Sequence, residues 1–255
     1  CWDEIVSELQ LKEHDFSTPF FVKHKKIKEI VSKFTDIPNN KKEIRILGSI
    51  TQRENKPLFF KEKEIFLLPS SNEEWVFLKG DGYFDPEYKI NSPVKKIKSA
   101  YKLDTIFGDS EGRYIHQINA QGILDDFTKI KKPVFTISGR RRAQFKFNAY
   151  GSDLECRGIQ LEVDAGFESK NEVILIEAKT GEVGSEIIRQ IYFPYRYISG
   201  LTGKKIRNIF MVVSKDRKTV NLFEYVFEDS NVYESIKLVN SEKYLIDDKE
   251  LTKFL

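Results

Sequence analysis

Apolar residues recur along this chain at two spacings, and the changes between them mark its elements. In "KHKKIKEIVSKF", Ile27, Ile30, Val31 and Phe34 fall on one helical stripe with lysines on the other faces, which predicts a surface helix. The lysine face reads first as solvated and second as a strip turned toward phosphates. Pro38-Asn39-Asn40 signals a turn, after which "EIRILGSI", "EIFLLP" and "EWVFLKGDGYF" carry strand spacing as far as Pro86. The basic stretch "SPVKKIKSAYKLD" reads as a linker or as a strip along a DNA backbone. A second helical face follows in "SEGRYIHQINAQGILDDFTKI", where Ile115, Ile118, Ile123 and Phe127 line up and Gly122 is the weak point.

From Val134 the pattern is strand again, in "VFTIS", "AQFKFNAY", "RGIQLEVDAGFE" and "EVILIEAK". A helix is predicted at 185–198, where Pro194 should kink or end it because proline has no N–H to give. "IRNIFMVVS" and "TVNLFEYVF" then flank the turn "KDRK". This order predicts an α/β (α+β) fold with a mixed central sheet flanked by helices and a smaller β-rich N-terminal region. The chain divides into 1–109 and 110–255, with the boundary between 86 and 132.

Composition removes several classes of function. With 40% hydrophobic and 32% charged residues, the 255-residue chain is globular rather than disordered. No apolar run nears the roughly 20 residues that span a bilayer, so a membrane-embedded reading is poor. Cys1 and Cys156 make no disulfide framework and no Cys/His spacing suggests zinc, which points to a reducing cytoplasm. Met211 is the only methionine, so the start at Cys1 reads as trimmed, and nothing after Cys1 supports its lipidation. The net charge of +3 is too balanced for coating nucleic acid indiscriminately, so any polyanion must meet local clusters.

The informative stretch is "EVDAGFESKNEVILIEAKTG", residues 162–181, which sets carboxylates and a lysine into strand-like runs where charge is costly to bury. Strand alternation turns Ile174, Ile176 and Ala178 to one face and Val173, Leu175, Glu177 and Lys179 to the other. The preceding run sets Ile159, Leu161 and Val163 against Gln160, Glu162 and Asp164, and Ser169-Lys170-Asn171 is short enough to join the two runs as a hairpin. Pairing across that turn brings Asp164 toward Glu177, with the register left open. Two converging carboxylates repel unless a cation lies between them, and magnesium suits one or two carboxylates with waters and phosphate oxygens. Lys179 beside them could orient or help deprotonate an attacking water and stabilise charge on phosphorus. The competing explanation is an exposed sheet edge with Glu and Lys as guards against aggregation, which the apolar "ILIEA" disfavours.

Asp164 with Glu177-Ala178-Lys179 resembles the PD-(D/E)XK nuclease superfamily, and Gln190 in "EIIRQIYFPYRY" matches the helix glutamine of several of its branches. With "SGRRRAQFKF" before it and "FKEKEIFLLPSSNEEWVFLKG" in the N-terminal half, the chain looks most like type II restriction endonucleases of that superfamily. The core resemblance covers about residues 110–230, and Val163 stands where the motif has proline. The resemblance implies a restriction-endonuclease-like core in 110–255 and a possible DNA-recognition region in 1–109. It implies a magnesium-dependent, site-specific cut in double-stranded DNA, with Asp164, Glu177 and the Ala178 backbone on the metal and Asp164, Glu177, Lys179 and Gln190 as catalytic residues. A repair or junction-resolving nuclease, or a DNA-binding module without catalysis, are the alternatives. A palindromic site would match a homodimer.

Secondary candidates carry two readings each. Glu162 is a second-metal neighbour or a solvated residue, Glu168, Asp153 and Glu155 are surface residues or water-orienting ones, and Gln190 is catalytic or merely on a helix surface. Tyr192, Tyr195 and Tyr197 read as core before base-stacking platforms. Arg140, Arg141, Arg142 and Lys146 are the DNA-binding candidates, as phosphate contacts or solvated residues with base readout for a minority. Lys23, Lys25, Lys26, Lys28 and Arg53 could add phosphate contacts from the N-terminal half.

Overall fold

The computed structural model describes residues 1–35, 38–88, 93–97 and 110–246. Most of "SPVKKIKSAYKLD" therefore lies outside the described residues. The elements are α1 (Trp2–Glu8), β1 (Phe20–Lys23), α2 (His24–Ser32), α3 (Ile44–Leu47), α4 (Leu58–Glu62), β2 (Ile65–Ser71), β3 (Glu74–Lys79) and β4 (Tyr83–Phe84). They continue with α5 (Glu111–Ala120), α6 (Ile123–Thr128), β5 (Val134–Ala149), β6 (Ser152–Glu168), β7 (Glu172–Thr180), β8 (Glu186–Ile187), α7 (Arg189–Ser199), β9 (Lys205–Val213), β10 (Thr219–Phe227) and β11 (Ile236–Leu245).

Nine of these strands form one mixed sheet in the order β1-β3-β2-β6-β7-β9-β10-β11, with β5 paired along β6. The β6–β7 hairpin is antiparallel, whereas β7 and β9 run parallel with α7 crossing between them. The mixed sheet flanked by helices is the expected α/β class. Its two faces are covered by different chain segments. Tyr114, Ile115, Ile118, Ile123, Leu124 and Phe127 of α5 and α6 pack on Ala165, Ile174, Ile176 and Ala178. On the other side Ile191, Tyr192 and Phe193 of α7 share a core with Phe210, Tyr225 and N-terminal residues such as Phe66 and Phe84. Gly122 interrupts the predicted second helix at φ 74°, a left-handed backbone that favours glycine, and splits it into α5 and α6.

The described residues as far as 88 are joined to the rest. β2 meets β6 through the parallel pair Ser71↔Arg157, and apolar side chains from both sides of that join lie in one buried cluster. The line near 109 thus marks chain order more than packing.

Local expectations differ from the structure at three places. "EIRILGSI" contains the helical turn α3, because Ile44 and Leu47, three apart, turn to the core while Ile46, which a strand would set on the same face as Ile44, is exposed. The helix predicted at 185–198 begins at Arg189, since Glu186 and Ile187 pair with Phe84 and Tyr83 as strand β8. Pro194 does not end that helix, which runs on to Ser199 with Ile191, Tyr192, Phe193 and Pro194 all buried. Packing of that face outweighs the one main-chain bond that proline forgoes. No helix among the described residues is long and apolar enough to cross a membrane.

Candidate active site

The β6–β7 ladder pairs Glu168↔Val173, Phe167↔Ile174, Gly166↔Leu175 and Ala165↔Ile176, and there it stops. In that register the next residues to face each other are Asp164 and Glu177. β6 leaves β7 at this point while β7 continues beside β9 as far as Thr180↔Val213. A parting of strands leaves main-chain groups to be satisfied. The Asp164 carboxylate does so, its Oδ2 accepting from the Ala178 N–H at 2.9 Å. In a strand the N–H and C=O of one residue face the same neighbour, so the Ala178 carbonyl also turns toward the gap that β6 has left.

Glu177 and Lys179 emerge from the same face of β7, and the Lys179 Nζ donates to Glu177 Oε1 at 2.5 Å. Their side chains are only 13% and 23% exposed. Burial pushes the Glu177 carboxyl up to about 7, with the Lys179 ammonium opposing and the Asp164 charge adding to the rise. Burial pulls the Lys179 ammonium down, but the Glu177 carboxylate bonded to it, with Glu186 and Asp164, outweighs this and leaves it raised. Gln190, in the first turn of α7, lines a cavity of about 10 Å³ together with Glu177, Val163 and Asn208. That is the room one water needs. Gln190 Oε1 and Asn208 Oδ1 are buried there with no hydrogen-bond partner among the described residues.

Asp164, Glu177, Ala178, Lys179 and Gln190 thus converge where the central strands part. Among the described residues no three His, Cys, Asp or Glu side chains form a group able to hold an ion by themselves. Two carboxylates and a carbonyl are nevertheless an all-oxygen set of the kind magnesium uses with waters and phosphate oxygens. Each carboxylate has one oxygen engaged, by the Ala178 amide and by Lys179, and one left over among the described residues.

One buried acid escaped the sequence reading. Glu186, on β8, is 1% exposed and its Oε1 meets no partner among the described residues. Burial pushes its carboxyl up to about 7, with Lys179 foremost among the charges that hold it down. Leaving such a group unsatisfied costs about 1–3 kcal/mol. The sequence signal was an acid directly before Ile187 and Ile188, masked because a glutamate at a helix start is ordinary.

The basic candidates lie on β5, which pairs with β6 through Gly139↔Val163 and Arg140↔Glu162. Arg140, Arg141, Arg142 and Lys146 are exposed along β5. Arg140 pairs with Glu162, which is itself exposed, so Glu162 takes its solvated reading. Arg140 and Arg141 line a groove of about 680 Å³ with Val163, Tyr197 and Ile198, so Val163 forms part of both the groove and the small cavity. Glu168 pairs with Lys204, Glu155 with Arg157, and Asp153 with Asn148. Tyr192 is fully buried, and Tyr195 and Tyr197 pack against the core. Arg53 pairs with Asp81 and Asp85 at 2.7 and 2.6 Å, and Lys23 with Glu74.

None of the curated proteins matches this chain. A solved structure titled "Crystal structure of SSO0001" aligns over 44% of this chain and 48% of that one, at 16% identity and a TM-score of 0.23. A likeness that shallow carries no argument. Residues 78–245, well over half the chain, match the family described as Domain of unknown function (DUF6997), and the chain belongs to that family.

Proposed function

We propose that this chain is a magnesium-dependent endonuclease that hydrolyses phosphodiester bonds of double-stranded DNA at specific sites. In this reading its sheet is a restriction-endonuclease-like core of the PD-(D/E)XK type. The observation that carries the reading is the end of the β6–β7 ladder. There Asp164 is held by the Ala178 amide at 2.9 Å while Glu177 and Lys179 stand side by side on the same strand.

Asp164, Glu177 and the Ala178 carbonyl would hold the ion. Magnesium held there would supply positive charge against the phosphate and would make a water bound to it more acidic. The Ala178 amide fixes Asp164 before substrate arrives, so little reorganisation is needed at the moment of reaction. The Lys179 ammonium has three protons and gives one to Glu177, which leaves donors for an attacking water and for a phosphate oxygen. Gln190 presents an acceptor beside Glu177 that can orient that water. The arginines of β5 meet the DNA backbone, and a twofold dimer would match a palindromic site.

Supercoiled plasmid incubated with the protein, with and without magnesium, tests this. Discrete bands that need magnesium are expected. A smear would mean cleavage without site preference. A mobility shift without cutting would mean a binding module and would overturn the catalytic reading. The same digest with Lys179→Ala should be slower by orders of magnitude, with magnesium affinity retained.

A further inference from the structure

Lys56 is 7% exposed, yet among the described residues its ammonium makes no hydrogen bond and no ion pair. Lysine is rarely buried to that depth unless it is paired, because charge is costly to desolvate. What the ammonium does meet is the ring of Tyr83, whose centroid lies 5.5 Å from Nζ. That ring is fixed, since the Tyr83 hydroxyl donates to Ile50 O at 2.8 Å. Lys56 lines a cavity of about 530 Å³, and two more cations open on the same space. Lys61 Nζ donates to Glu54 O at 2.8 Å, which leaves two of its three N–H groups unspent. Arg53 gives Nε and one N–H from each terminal nitrogen to Asp81 and Asp85, which leaves one N–H on each. The acids of the wall do not pair with Lys56. Asp81 is bonded to Arg53, Glu54 Oε2 accepts the Ser185 hydroxyl at 2.8 Å, and Glu64 is exposed.

Size and sign together choose the ligand. Cavities that hold small organic molecules run from about 300 to 1,000 Å³, so a bare anion would leave most of this one unfilled. A phosphate monoester brings up to two negative charges and three terminal oxygens, enough for two ammonium groups and the edge of a guanidinium, where a carboxylate brings one charge and two oxygens. Glu54 and Glu64 would repel the phosphate itself but accept from hydroxyls, so the group that carries it is a polyol. We propose that this cavity binds the phosphate monoester of a sugar, either free or as the 5′-phosphate end of a nucleic acid strand, with Lys56 and Lys61 on the phosphate. Burial pulls the Lys56 ammonium down, and a bound phosphate would offset that by supplying the opposite charge. The cavity shares no residue with the proposed metal site, and the inference does not depend on that site.

Calorimetric titration of the full chain without magnesium tests this, with ribose 5-phosphate, AMP, ribose and inorganic phosphate as probes, and with short duplexes ending in 5′-phosphate or 5′-hydroxyl. Saturation by ribose 5-phosphate or AMP, with ribose giving none, supports a free ligand. Saturation by the phosphorylated duplex end, with none by the free esters and weaker binding of the hydroxyl end, supports the strand end. In either case Lys56→Met, which keeps the stem and removes the charge, should weaken binding by about ten-fold or more. Lys61→Ala, at an exposed position, should weaken it by about three-fold. Should Lys56→Met fail to fold, Lys61→Ala decides alone. Inorganic phosphate binding as tightly as the esters overturns the sugar. Saturation by none of the probes, or an affinity unchanged in a folded Lys56→Met, overturns the site.

Discussion

Asp164 is held beside Glu177 by a main-chain amide, so the arrangement exists before any cation arrives. Asn at 164 can still accept the Ala178 N–H, which makes Asp164→Asn a change of charge with little change of shape. We expect it, like Glu177→Gln, to lower single-turnover cleavage at least a hundred-fold while DNA affinity, read by mobility shift, stays within a few-fold. Wild-type cutting by either variant would remove that carboxylate from the site. Glu177 also leaves a signature that needs no substrate. Its folded carboxyl titrates at about 7 against 4.5 unperturbed, so between those values the folded state holds a proton that the unfolded chain has released. Stability contributed by the group is therefore present below about 4.5 and is lost as pH rises toward 7. His24, lowered by burial, works in the opposite sense, so the comparison must be with a variant. The unfolding free energy of wild type minus that of Glu177→Gln should fall across this window, by an amount of the order of 1.4 kcal/mol per pH unit, and be flat above it. Denaturant titrations at several pH values check this, and a difference independent of pH would contradict the burial of the charge.

Among the elements, β5 offers the sharpest test because it carries the arginines along one exposed strand. Arg141 and Arg142 make no ion pair among the described residues, whereas Arg140 is engaged by Glu162 at 3.2 Å. Alanine at 141 or 142 should weaken binding to all duplexes alike and flatten the slope of log affinity against log salt by about one unit each. Alanine at 140 should do less. Fluorescence anisotropy on specific and random duplex at several salt concentrations decides this, and a loss confined to the specific duplex would mean base readout instead. The elements also show what was legible beforehand. Short, nearly continuous apolar runs such as "EVILIEAK" and "TVNLFEYVF" became strands buried on both faces of the sheet, and the Asp164, Glu177 and Lys179 grouping followed from strand geometry, which sets Glu177 and Lys179 on one face. What escaped was decided by long-range pairing. β8 exists because Tyr83 and Phe84 are its partners, β1 because Trp75 and Phe77 line up beside Val22 and Phe20, and neither partner is visible in the local spacing. Glu186 went unnoticed for the same reason, since only the fold shows that its helix-like neighbourhood is a buried strand.

At the scale of the molecule, the sheet passes through the Ser71↔Arg157 join, and the N-terminal residues contribute both to one core and to the seat of Glu186. The family match begins at Leu78, the fifth residue of β3, so β1, β2 and most of β3 lie ahead of it. A fragment starting there would keep Leu78 and Lys79 but lose Phe66, Leu67, Leu68, Trp75 and Phe77, all of them buried. It would also lay bare the side of β6 that Ser71 covers. We expect residues 78–255 expressed alone to be insoluble, or to show the exposed-hydrophobe dye binding of a loosened core, when the whole chain is soluble. A soluble fragment with a cooperative unfolding transition would contradict this. The segment by which relatives recognise one another is thus shorter than the unit that folds, so the start of kinship inside a hairpin is a poor guide to where this chain can be cut, fused or exchanged.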